Sequence, residues 1–308
     1  MQMDVVRPSL LPGEIVQGGA GRVARLNGCS SWFRAGEELF GRKLNTYWDS
    51  PDAANPSLLA DIVGLPVSEL NSRHTLKPLV RGRFPRGPRH SRRPDTPYRA
   101  REYVYYCRDC AREDLGFHGM SYWRREHQIF GMYWCLKHGV PLRYDMPSAP
   151  FVRSPAECSL RPDAAEADRF SALAAFPAIK RALACASEIL DFGTAPGQDQ
   201  THRKVAELVS ARRIRHFTAD LSDLMLDQFG PSWLVETLPA FADKRRGEVF
   251  PAIDRQQWSQ IQSSAALYIP LVVALTESVD GALNVLTETC GGSRSSGLRR
   301  ETSTSAVD

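Results

Sequence analysis

Cys107-Arg108-Asp109-Cys110 is a C-x2-C knuckle, and Cys135-Leu136-Lys137-His138 is a C-x2-H knuckle that follows after 24 intervening residues. Each knuckle brings two soft or borderline donors to one point, and zinc takes four such donors tetrahedrally at about 2.0 to 2.3 Å. Three thiolates and one imidazole fill that shell and leave no position for the water that a catalytic zinc activates. The expectation is therefore one structural Zn2+ held by Cys107, Cys110, Cys135 and His138. Gly139 follows His138, as the tight turn of a knuckle requires. His118 and His127 lie in the spacer and are the alternative ligands. The chain has 7 cysteines, an odd number at uneven spacings, which argues against a disulfide framework.

The elements that would position these ligands can be read outward from the site. The spacer predicts a helix over Ser121 to Phe130, carrying His127 beside Arg124 and Arg125. Tyr122, Trp123, Phe130, Tyr133 and Trp134 could stack on bases, but a small metal module needs aromatics for its own core, and core is the preferred reading.

Upstream, Asn55 as N-cap and Pro56 at the first helical position open a helix whose apolar face is Leu58, Leu59, Ile62 and Val63. Gly64 stops it, and Pro66 begins a second helix that turns Val67 and Leu70 inward. Small Ala60, Gly64 and Leu70 stand where a helix-turn-helix needs close approach, positive φ and an apolar plug. Ser68, Asn71, Ser72 and Arg73 would then face outward, toward base edges or phosphates, or toward a protein. An αα-hairpin packed for stability is the alternative.

Between Arg73 and Arg101 ten Lys/Arg (Arg73, Lys77, Arg81, Arg83, Arg86, Arg89, Arg92, Arg93, Arg99, Arg101) face one acid, Asp95, a local excess of +9 against +4 for the whole chain. Pro85, Pro88, Pro94 and Pro97 exclude regular helix, so this stretch reads as an extended linker that a phosphate backbone could order. The candidate nucleic-acid or partner contacts are Ser68, Asn71, Ser72, Arg73, Lys77, Arg81, Arg83, Arg86, Arg89, Arg92, Arg93, Arg124 and Arg125.

Beyond Pro155 the periodicity predicts helices over Ala164 to Ala175, Pro177 to Leu190, His202 to Phe217, Ala219 to Phe229 with a Thr218 cap, and Ser263 to about Thr287. Arg203, Lys204, Arg212, Arg213 and Arg215 could form a second basic face. The Gly, Ser and Thr-rich end from Gly291 reads as a disordered tail. Gly19-Ala20-Gly21-Arg22-Val23-Ala24 fits G-x-G-x-x-A, but no strand leads into it, so a dinucleotide site is not expected. The signatures of P-loop ATPases, zincins and α/β-hydrolases are missing from the sequence.

With 308 residues, 43% hydrophobic and 24% charged, the chain is expected to fold into two or three units. Its pI near 8.7 is too mild to establish nucleic-acid binding without a map of the charge. The opening residues have no secretory pattern, so a cytoplasmic location is expected. The apolar run Ala265 to Leu275 is shorter than the roughly 20 residues needed to span a bilayer and contains Pro270, so it reads as a core helix.

In order, these motifs resemble the TniQ family of transposition target-selection proteins. The resemblance rests on Pro12-Gly13-Glu14, Arg22 to Gly28, Leu39-Phe40-Gly41, the Leu58 to Leu76 helical segment, and above all the metal segment. There Cys107-Arg108-Asp109-Cys110, Glu113-Asp114, Tyr122-Trp123-Arg124-Arg125 and Cys135-Leu136-Lys137-His138-Gly139 are similar to the family pattern, with Arg108 in place of the usual proline. Many members continue into a second zinc knuckle, whereas Cys158 stands alone here. The resemblance implies a non-catalytic adaptor linking target DNA or a CRISPR guide-RNA effector complex to an AAA+ ATPase that recruits the transposase; a homodimer is a further expectation, and no membrane partner is expected.

The resulting expectation is a mainly α chain. It has an N-terminal helix-turn-helix domain (1–80), a basic linker (81–102), a small zinc-ribbon or zinc-finger module (103–150), a C-terminal helical domain (160–290) and a tail (291–308). The rival function is a zinc-stabilised transcription regulator that reads DNA directly.

Overall fold

The computed structural model describes residues 5–41, 56–80, 103–145, 151–158, 164–194, 198–255 and 265–287. The chain is mainly helical. Helices α1 (Val16–Leu26), α2 (Trp32–Phe40), α3 (Pro56–Val63), α4 (Val67–Arg73) and α5 (Lys77–Val80) precede a two-stranded antiparallel sheet, β1 (Val104–Tyr106) and β2 (Arg143–Asp145). Helix α6 (Arg108–His118) lies between the strands. After them come α7 (Ala164–Ala174), α8 (Pro177–Phe192), α9 (Gln198–Ala211), α10 (Asp220–Phe229), α11 (Pro231–Thr237), α12 (Pro251–Asp254), α13 (Ala265–Ala274) and α14 (Val279–Thr287).

The α3–α4 pair forms for the reasons its sequence gives. Gly64 takes φ 72°, and the N–H groups of Gly64 and Leu65 both return to the Ala60 carbonyl at 2.8 and 3.1 Å, closing α3. Leu70 is fully buried in the angle between the helices, where such a side chain contributes about 1.5–3 kcal/mol. The pair packs on α1 through Val16, Ala20, Val23, Leu58, Leu59 and Ile62.

The G-x-G-x-x-A segment is the interior of α1, where its glycines and the neighbouring Gly18 permit close packing. A Cβ at Gly18 would come within 2.9 Å of Trp123, and one at Gly21 would collide with the carbonyl of Phe151.

A second, larger core is continuous from Cys107, Tyr133 and Cys135 to Ile179, Leu183, Phe229, Trp233, Leu271 and Val273. Helix α8 is its axis, touching α4, α5, α7, α10, α13 and α14. The apolar run in α13 is a core helix, and among the described residues no helix is long and apolar enough to cross a membrane.

Four local expectations change. Ser121 to Phe130 is not a helix: residues near Glu14 and Arg124 pair as extended chain, and only Glu126–Gln128 makes a 3-10 turn. The tertiary contact with the N-terminal segment outweighs the helical spacing. The helix expected through Phe217 ends at Ala211, because Arg213 adopts φ 56° and Ile214 N–H closes onto Val209 O. Thr218 does not cap α10. Instead buried Asp254 accepts from Ser222 N, Ser222 Oγ and Phe250 N at 2.9, 2.7 and 2.6 Å. The last long helix is two, α13 and α14, with Ser278 Oγ accepting from Gly281 N at the start of the second. Asn55, the linker 81–102 and the tail 291–308 lie outside the described residues.

Candidate metal centre

Both knuckles are built by local backbone geometry. Cys107 is the N-cap of α6, so Cys107 and Cys110 flank the first turn of a helix whose N-terminal dipole favours thiolate. The second knuckle is a tight hairpin. Cys135 N–H donates to Val140 O, Gly139 N–H to Cys135 O and Leu142 N–H to Tyr133 O, each at 2.8 Å, and Gly139 takes φ 66°. The β1–β2 pairing, Val104 opposite Asp145 and Tyr106 opposite Arg143, brings the two knuckles together.

The four donor atoms lie within 4.8 Å of one another, with the three cysteines buried. His138 Nδ1 is 3.5 Å from Cys107 Sγ, 3.4 Å from Cys110 Sγ and 3.5 Å from Cys135 Sγ, and the Cys110 and Cys135 sulfurs are 3.6 Å apart. A tetrahedral ion with bonds of about 2.0–2.3 Å needs donor separations of about 3.5–3.8 Å, so the set fits one cation compatible with zinc. Proton sharing alone serves these sulfurs poorly. Cys107 is pushed down by hydrogen bonds from Cys110 and Cys135, while Cys110 is pushed up by its bond to Cys107. A central cation allows all three to be thiolates.

Glu113 supports the site from α6. Its Oε1 lies 3.0 Å from His138 Nε2, and its Oε2 accepts from Lys137 Nζ. Lys137, then His138, holds this carboxyl below its ordinary range. Such a carboxylate fixes the tautomer and orientation of a ligating imidazole. Sequence spacing alone does not reveal this role, although Glu113 stands in the motif.

Neither spacer histidine joins the set. His127 is buried with Nε2 4.0 Å from Cys110 Sγ, and His118 packs its ring against Phe117 and Tyr122. Cys158 is buried beside Ile15, Val104, Tyr106 and Trp123, and it donates to Ser154 O at 3.3 Å. Tyr122, Trp123, Tyr133 and Trp134 are all buried, with Trp123 Nε1 donating to Arg153 O at 2.7 Å.

The module is clasped by the N-terminal segment. Ile15 N–H donates to Trp123 O and Arg125 N–H to Gly13 O, both at 2.8 Å. Buried Glu14 pairs with Arg22 at 2.6 Å, and Arg22 also donates to Ser9 O at 2.8 Å.

Among the described residues, the expected contact residues differ in exposure and partners. Ser68 and Arg73 are exposed on α4, Arg73 pairing with Glu69 at 3.6 Å. Asn71 and Ser72 are half-buried, Ser72 lying against Gly193 at the end of α8. Lys77 is half-buried at the start of α5. Arg124 turns onto Asp114 at 2.5 Å. Arg125 is 5% exposed and donates to Ser72 O at 3.0 Å and Leu190 O at 2.7 Å, so it staples α4 to α8 and presents no open guanidinium. Arg81, Arg83, Arg86, Arg89, Arg92 and Arg93 lie outside the described residues.

A family model described as TniQ matches residues 5–142, the span that holds the helix-turn-helix and all four metal donors. No curated protein matches the chain.

Proposed function

We propose that the chain is a zinc-containing adaptor of transposition target selection, on the ground that its residues 5–142 match the TniQ family model. It connects a target-recognition element, DNA itself or a guide-RNA effector complex, to the AAA+ ATPase that recruits the transposase. The observation that carries this reading is that the family match encloses a helix-turn-helix clasped to a metal centre whose four protein donors complete the shell. A completed shell supplies no Lewis-acid position, which supports a scaffolding ion and a non-catalytic chain.

In this reading zinc holds α6 and the second knuckle together, Glu113 orients His138, and the module anchors the N-terminal segment and α4. Ser68 and Arg73 on α4, with the basic stretch 81–102, supply the recognition surface.

The test is reconstituted transposition with and without this chain. Insertions should be targeted only when it is present, and it should retain the ATPase in a pull-down. Targeting that persists without the chain contradicts the reading. Tight binding to one selected duplex with no transposition partner would instead favour the transcription regulator.

A further inference from the structure

The turn between α9 and α10, Arg212-Arg213-Ile214-Arg215-His216-Phe217, contains no acid and lies outside residues 5–142. It is firmly built. Ile214 N–H donates to Val209 O at 3.1 Å, Phe217 N–H to Asp254 O at 3.2 Å, and Thr218 Oγ1 to Arg215 O at 2.9 Å. Two of its residues without glycine's freedom take left-handed backbone, Arg213 at φ 56° and Phe217 at φ 58°. Left-handed backbone is unfavourable for a residue with a side chain, and the fold recovers little of that cost from Phe217, which is 61% exposed.

The charges of this turn are only lightly compensated. Arg215 meets Asp220 at 3.2 Å, and Arg212 meets Glu277, itself 95% exposed, at 3.8 Å. Arg213 and Arg255 are exposed and enter no ion pair among the described residues. Arg255 follows Asp254, whose carbonyl holds the Phe217 amide, so it borders the same turn.

We propose that this turn is a nucleic-acid contact. Arg212, Arg213 and Arg255 meet phosphodiester oxygens, and Phe217 stacks on an unpaired base between them. Guanidinium groups match phosphate geometry, and an exposed aromatic among them is the combination that single strands use. The inference deepens the adaptor reading by naming a second surface for its target, on a different part of the chain from α4.

The test uses the full-length zinc-loaded protein with three labelled DNAs of mixed sequence: a single strand, its duplex, and that duplex with an unpaired bulge. Anisotropy is read across a salt series. Asn tolerates left-handed backbone, so Phe217→Asn and the double variant Arg212→Gln/Arg213→Asn preserve the turn. Phe217→Asn should weaken binding of the single strand and the bulged duplex about 10-fold and leave the plain duplex nearly unchanged. The double variant should flatten the single-strand salt slope by about 1.4, at about 0.7 per lost phosphate contact.

Wild-type binding by both variants, with melting and zinc content unchanged, overturns the proposal. So does capture by polyglutamate in place of DNA, which would assign the turn to an acidic protein. Either result with ATPase capture and targeted insertion intact rejects this turn alone and leaves the adaptor reading standing.

Discussion

Glu113 Oε1 and His138 Nε2 lie 3.0 Å apart, and this contact turns the other ring nitrogen, Nδ1, toward all three cysteine sulfurs. Glu113→Gln keeps the shape of the side chain but removes the charge that strengthens the imidazole as a donor. Metal affinity, measured by competition with a chromogenic chelator, should fall about 10- to 100-fold with the fold retained. Unchanged affinity would show that the carboxylate pairs only with Lys137.

Arg125 discriminates between a staple and a surface cation. Arg125→Met removes the donors to Ser72 O and Leu190 O; Leu190 O keeps its bond from Gly193 N–H, while Ser72 O loses its charged partner. The expected loss is about 3 kcal/mol of stability. A lost nucleic-acid salt dependence with unchanged melting would return Arg125 to the recognition surface.

Two helical glycines should respond with opposite signs to alanine. Gly116 in α6 has open space around it, so Gly116→Ala should gain about 0.5–1 kcal/mol from helix propensity. At Gly21 the same gain is outweighed, because the new methyl meets the Phe151 carbonyl, and a net loss of about 1–3 kcal/mol is expected. Denaturant midpoints of the two variants decide, and a stabilised Gly21→Ala would contradict the packing of α1 on the 151–158 segment.

His74 predicts the direction of a pH effect. Its Nδ1 sits 2.9 Å from Glu14 O, and burial pushes its pKa below the ordinary 6.5. The unfolded chain takes up the proton near 6.5, while the folded chain resists it to lower pH. The stability due to His74 is therefore full above about 6.5 and falls as pH drops below that value. In the zinc-loaded protein, His74→Asn should flatten this part of the profile of urea midpoint against pH. Parallel profiles would contradict it.

Where the sequence was legible, the reason was short-range. The four metal donors are spaced by knuckle geometry, and Ala60, Gly64 and Leu70 state a helix–turn–helix within eleven residues. What remained hidden depends on distant partners. Arg125 looks like a surface cation until Leu190 O, 65 residues away, receives it. The helical spacing of Ser121 to Phe130 yields to pairing with residues near Glu14, and the glycines of α1 make sense only against Trp123 and Phe151. Glu113 could be seen in the motif, but its contact with His138 needs the hairpin to fold back on α6.

In the proposed adaptor, the Cys107, Cys110, Cys135 and His138 centre holds a structural zinc on which the fold around it depends. The most direct measurement is metal content together with thermal melting of wild type and Cys107→Ser. The wild type should carry one zinc per chain, and the variant should lose it and melt far lower, since structural zinc contributes on the order of 10 kcal/mol of apparent binding free energy. A Cys107→Ser protein with wild-type melting and wild-type zinc content would contradict the account.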